Sequence, residues 1–206
     1  MLMSALAACD ASEHPGQATQ PAIPKVESSP VNHSRDKEVQ VASVIPETFQ
    51  SYVSSRVGND WVCEAGAVTD EDGLSQRPLA YLRDAGGRVK WVREMDLPAD
   101  TFQARATGCI RDGNRLFVLL QADTQSSQTL SQTLLSVAAL EVEDGAVTQV
   151  RDVVPPQVNG PYSAWVDDAD SGFRVVDGNL SVSGHYFRME DPENRRTFVS
   201  VVKIDQ

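Results

Sequence analysis

Histidine is scarce in this chain: three residues in 206, at His14, His33 and His185. The first two fall in a segment poor in large apolar side chains, which leaves His185 as the one histidine expected in a folded part. No serine or cysteine stands near it at a recognised motif spacing, so nucleophile and histidine catalysis is not written in any familiar form. A Gly-Lys-Ser phosphate loop, a His-Glu-x-x-His helix and a Gly-x-Ser-x-Gly elbow are also missing. No cofactor or metal site is expected. The densest acidic cluster, Asp167-Asp168-Ala169-Asp170-Ser171-Gly172, puts glycine where a calcium loop needs an oxygen ligand and has no acid at its twelfth position. Carboxylate hydrolysis, which requires no fixed spacing, is the enzyme class left, and it ranks last.

Positive charge is short as well. Lys and Arg total 18 against 29 Asp and Glu, a net charge of −11, and from Pro46 onward the acids number 24 and the bases 15. Phosphate backbones and anionic headgroups repel such a surface, which excludes nucleic acid as a natural partner and favours a basic protein. Beyond the N-terminus no run approaches the roughly 20 apolar residues of a membrane-spanning helix. Cysteine is limited to Cys9, Cys63 and Cys109.

The start of the chain carries an address. Leu6-Ala7-Ala8-Cys9 resembles the lipobox that ends a bacterial lipoprotein signal peptide, and the resemblance implies cleavage before Cys9 and acylation of that cysteine. A full signal peptide has a basic n-region and about 7–15 apolar residues, so residues 1–8 read as a truncated or imperfect signal segment. Residues 9–37, with Pro15, Pro21, Pro24 and Pro30 among Ser, Gln and Ala, cannot bury enough surface to offset ordering entropy. They read as a lipid-anchored disordered tether, giving the domain a reach of a few nanometres at about 5–6 Å × √n. Asp10 resembles the signal that retains enterobacterial lipoproteins in the inner membrane, whereas other bacteria read other positions. The implied location is the periplasm-facing envelope.

Residues 38–206 read as one β-rich globular domain. Asp84-Ala85-Gly86-Gly87, Asp112-Gly113-Asn114, Asp144-Gly145 and Asp177-Gly178-Asn179 each separate runs of β-formers, and tight hairpin turns need the positive φ that such residues supply. The runs fall into three antiparallel meanders: the first opens at Trp61, the second at Cys109 and the third at Phe173, which ends one strand short. Residues 38–45 alternate polar and apolar and suit the missing strand. Pro46, then Phe49, Tyr52, Val53 and Val57 at helical spacing, then Gly58, predict one short N-terminal helix. The segment 80–91, Ala-Tyr-Leu-Arg-Asp-Ala-Gly-Gly-Arg-Val-Lys-Trp, resembles the outer hairpin of a quinoprotein-like propeller blade. Propellers close with 4–8 blades, so three blade-like units imply an open or sandwich-like assembly.

With Cys9 acylated, Cys63 and Cys109 remain as an even pair in an oxidising compartment, which predicts a disulfide. Both sit on the expected first strands of consecutive units, a few residues before glycine. The polar loop at 123–133, with its doubled Ser-Gln-Thr-Leu, and the loop of Asp167, Asp168 and Asp170 would project from the scaffold. These aspartates are the expected partner-binding residues. The reading as a whole is a non-enzymatic, lipid-anchored protein that binds or inhibits an envelope partner, as an immunity protein does, with an envelope-assembly scaffold as the alternative.

Overall fold

A computed structural model describes residues 44–97, 100–124 and 131–203. They form three antiparallel sheets in chain order. The first is the meander β1 (Phe49–Arg56), β2 (Trp61–Thr69), β3 (Gln76–Asp84) and β4 (Val89–Glu94). The second is β5 (Thr101–Asp112), β6 (Arg115–Thr124), β7 (Thr133–Glu141) and β8 (Val147–Val153). The third combines β9 (Tyr162–Trp165), β10 (Phe173–Val176), β11 (Asn179–Arg188) and β12 (Asp191–Val202), with a four-residue helix α1 (Ala169–Gly172) between β9 and β10. The four Gly-containing turns expected from the sequence all join adjacent strands.

The expected helix at Pro46–Gly58 is instead β1, a correction with a clear cause. Positions 49, 53 and 57 are four apart, which suits a helix, but four is also an even step along a strand. A β-bulge between Ser51 and Val53 then turns the two halves of β1 to opposite faces. Phe49 meets Tyr81 edge-on at 5.5 Å, whereas Val53 packs against the core on the other side. Tyr52, which the helical spacing would bury, is 40% exposed. The unpaired edge of β2 supplies the hydrogen bonds that decide for a strand, and no local sequence pattern reports that edge. At the bulge the strands approach so closely that a Cβ on Gly66 would lie 1.9 Å from the Gln50 carbonyl oxygen.

The third sheet departs from expectation in another way. Both β9 and β10 pair with the same side of β11, β9 opposite His185 to Arg188 and β10 opposite Asn179 to Val182. They are one strand row interrupted by residues 166–172. The strand anticipated at 38–45 lies, but for its last two residues, outside the described residues, and Val44 and Ile45 are not in a strand.

The middle sheet decides the packing. Along β6, Leu116, Val118 and Leu120 face one core with Ala65, Ala80, Leu82 and Trp91 of the first sheet. Phe117 and Leu119 point the other way into a second core with Phe173, Leu180, Val182 and Phe198 of the third. A strand covered on both faces must be apolar at consecutive positions, which is why Leu116 to Leu120 is an unbroken apolar run. Each large side chain so buried contributes about 1.5–3 kcal/mol.

Specific links reinforce the first interface. Trp91 is fully buried, and its indole N–H donates to the Val142 carbonyl at 3.0 Å. A Cβ on Gly145, whose φ is +69°, would come within 2.6 Å of the Trp91 ring, so both backbone and space demand glycine there. The disulfide is present: Cys63 and Cys109 are bonded, with Cα atoms 6.4 Å apart. Because β1 precedes it, Cys63 sits on the second strand of its sheet while Cys109 is on the first strand of the next. Replacing both cysteines by alanine should lower stability by about 3–5 kcal/mol on the chain-entropy account of a loop of this size. Guanidinium unfolding of the two forms measures this, and equal midpoints would mean that sheet stacking alone sets stability.

The outer face of the first sheet holds a buried carboxylate. Glu64 accepts from Ser54 at 2.8 Å, Ser51 at 3.0 Å and the Arg83 guanidinium at 2.8 Å, which ties β1, β2 and β3 together. Burial pushes this carboxyl up, but the bonds from Arg83, Ser54 and Ser51 and the arginine charge together outweigh burial and hold it below the ordinary value. A depressed native pKa stabilises the fold above the unfolded value, and that contribution is lost as pH falls through the native one. Glu64→Gln should therefore cost about 1–3 kcal/mol at neutral pH and flatten the loss of stability below about pH 4. Urea midpoints taken across that range test it; parallel acid limbs for variant and wild type would discard Glu64 as their source.

Candidate functional site

β1 and β5 are the opening strands of the first two sheets and β10 shares the outer row of the third with β9; each has one side with no strand partner among the described residues. They converge on an open trough. Its largest hollow, about 760 Å³, is lined by Ser55, Arg56, Gly58, Ile110, Arg111 and Asp170 among others. A neighbouring hollow of about 350 Å³ shares Ser55, Ile110, Arg111 and Asp170 and adds Arg174 and Val175 from β10. All three sheets thus contribute to one concavity.

Three arginines from three different strands line the two hollows, Arg56 and Arg111 the larger and Arg111 and Arg174 the smaller. Arg111 is fixed: its Nε donates to the Gly113 carbonyl at 2.9 Å and its Nη1 to the Val57 carbonyl at 3.2 Å, which bridges the end of β1 to the β5–β6 turn. Gly58, at φ +118°, leaves room for that guanidinium, since a Cβ would stand 3.2 Å from Nη1. Arg56 and Arg174 are exposed, and neither forms an ion pair among the described residues. In a chain of net charge −11 the trough is a local basic site, with Asp170 as the acid on its wall.

The three aspartates expected to act as one patch lie together along a further hollow of about 280 Å³, beside Tyr52 and Val53 of β1, and two of them also hold bonds of their own. Asp167 accepts from the Trp165 indole N–H at 2.8 Å and pairs with His185 Nδ1 at 2.7 Å. Asp168 is the N-cap of α1, accepting from the Asp170 amide at 3.0 Å and the Ser171 hydroxyl at 2.9 Å. Asp170 alone of the three lines the main hollow. The loop therefore spends two carboxylates on its own conformation, and a Cβ on Gly172 would meet Val166 at 2.6 Å where the chain turns back toward β10. The second expected loop, 123–133, falls largely outside the described residues. Its bases are held by Asp123, which accepts from Gln103 at 2.9 Å and Thr133 at 2.8 Å, and by Ser131, which donates to the Thr124 carbonyl at 2.6 Å. Cys9 also lies outside the described residues.

His185 lies on the outer side of the third sheet, its ring stacked on Trp165 at 5.8 Å between centroids, with Phe187 and the Arg195 guanidinium around the same indole. Among the described residues no hydroxyl is hydrogen-bonded to His185, and no group of three or more His, Cys, Asp or Glu is placed to hold a metal ion. No described helix is long and apolar enough to cross a membrane. Sequence reasoning missed the arginines because Arg56, Arg111 and Arg174 form no basic cluster and lie far apart along the chain.

The division of labour in the acidic loop is open to test. Asp168→Ala should destabilise the fold by about 1 kcal/mol through the lost cap, whereas Asp170→Asn should stay within about 0.5 kcal/mol. Thermal unfolding of the two variants compares them, and equal stabilities would remove the structural role given to Asp168. No family model matches this chain, and none of the curated proteins compared with it matches in sequence.

Proposed function

We propose that this chain is a lipid-anchored, periplasm-facing protein of the bacterial cell envelope whose β-rich domain binds, and by binding inhibits, a protein partner without performing chemistry. The observation that carries this reading is the trough: three strand edges, arginines without an ion pair among the described residues and a looped-out segment line one open concavity on a stack of sheets. Convergent polar groups over a preformed hollow are the usual architecture of a binding site, and loops on a rigid scaffold are where recognition concentrates. The lipobox-like Leu6-Ala7-Ala8-Cys9 and the Pro- and Ser-rich stretch behind it supply the anchor and the reach.

A scaffold role in envelope assembly is the second reading. It is favoured by the outer side of the third sheet, where Val199 and Val201 are 59% and 66% exposed. In this reading the three sheets are blade-like units stacked as in a propeller, open at both ends, and the exposed face accepts a further sheet from another protein.

The membrane address is tested by expressing the gene with its natural upstream region and comparing wild type with Cys9→Ala. Wild type should incorporate labelled palmitate and enter the detergent phase, and the variant should do neither. Identical behaviour of the two would refute the lipid anchor. Crosslinking in intact cells followed by mass spectrometry then identifies the partner: a single secreted toxin-like protein supports inhibition, and a multi-protein envelope assembly supports the scaffold.

A further inference from the structure

We propose that the trough between β1, β5 and β10 receives an extended segment of the partner through carboxylate groups, held by Arg56, Arg111 and Arg174. This rests on the partner-binding reading above and names the chemistry of what is bound. It also runs against the charge of the whole chain, which by itself favours a basic partner.

Local charge decides the matter. At physiological ionic strength exposed charges are screened beyond about 8 Å, so a group inside the trough responds to the guanidinium groups beside it more than to the distant acidic surface. Arg111 is held in place by two backbone carbonyls, which reduces the entropy lost when it engages a ligand. Arg56 and Arg174 are exposed and form no ion pair among the described residues, and a guanidinium fork matches a carboxylate with two parallel hydrogen bonds. A long polyanion is disfavoured, because most of it would lie over the acidic surface outside the trough. A short strand-like segment with one or two carboxylates satisfies both constraints. The sides of β1 and β10 that have no strand partner among the described residues add backbone donors and acceptors suited to an extended chain. Asp170 on the same wall opposes an incoming carboxylate and so limits how many are accepted.

The test uses the full chain carrying Cys9→Ala, labelled with nitrogen-15, and three capped pentapeptides: Val-Glu-Val-Glu-Val, its Gln counterpart and its Lys counterpart, each at millimolar concentration. The Glu peptide should shift the amide resonances of residues 54–58, 109–113 and 173–175 and the Nε resonances of Arg56 and Arg174. The Gln peptide should bind about tenfold more weakly, as loss of charge-assisted bonds implies, and the Lys peptide should leave the trough resonances unmoved. Arg56→Glu combined with Arg174→Glu, both at exposed positions, should preserve thermal unfolding and reverse the preference toward the Lys peptide. Asp170→Asn should tighten the Glu peptide about twofold. Binding without charge preference, shifts confined to another surface, or no binding by any peptide would each overturn the assignment. The two levels separate cleanly. A crosslinked envelope partner that binds the double arginine variant as tightly as wild type would leave the partner-binding reading standing and remove the trough from it. Charge-selective peptide binding with no envelope partner would do the reverse.

Discussion

Burial of the middle sheet on both faces is the constraint from which the rest of this structure follows. A single antiparallel sheet with one wet face would alternate polar and apolar residues, but β6 and β7 are apolar at successive positions and must be covered twice. The first and third sheets supply the covers, with Leu116, Val118 and Leu120 meeting one and Phe117 and Leu119 the other. Removing either neighbour would leave a row of large side chains in water, so the three meanders are interdependent, although strand pairing runs only within each one.

The first interface is more heavily linked than the second. Besides its core it has the disulfide, the Trp91 to Val142 bond, the Arg93 Nε donation to the Gly145 carbonyl at 2.8 Å, and the Lys90 to Glu143 pair at 2.9 Å. The exposed ion pair counts for little energetically, but the buried indole bond and the covalent link hold the first two sheets in register. The third sheet is held by apolar packing and a few polar contacts, such as Gln121 to the Val166 carbonyl at 3.4 Å and Ser200 to the Val154 carbonyl at 2.7 Å. The wall of the trough made by β1 and β5 belongs to the more heavily linked interface, and the wall made by α1 and β10 to the sheet with fewer ties.

Electrostatics operates on two scales in this molecule. The net charge of −11 sets solubility and the long-range field, which governs approach. At contact distance that field is screened, and individual side chains take over: Arg56, Arg111 and Arg174 in the trough, Asp167 against His185, Glu64 against Arg83. Composition describes the approach and says nothing of the grip.

Local chemistry was legible in the sequence wherever a few adjacent residues suffice to determine it. The Asp-Gly and Gly-Gly turns set φ within two or three positions, so the hairpins and the three-meander organisation could be read directly, and the even pair Cys63 and Cys109 announced its bond. What escaped depends on residues far apart in the chain. Phe49, Val53 and Val57 fit helix and strand alike until the free edge of β2 decided between them. The four-residue β9 is too short to signal itself, and its place beside β11 came from pairing across a seven-residue excursion, 166–172. The clustered aspartates are neighbours in sequence and line one hollow together, but the bonds of Asp167 to Trp165 and His185 and of Asp168 to Ser171 could not be read from that spacing. Arg56, Arg111 and Arg174 looked unrelated because they are not neighbours. Only the face-to-face stacking of the sheets, driven by apolar burial that is blind to the order of the chain, brought them to one trough.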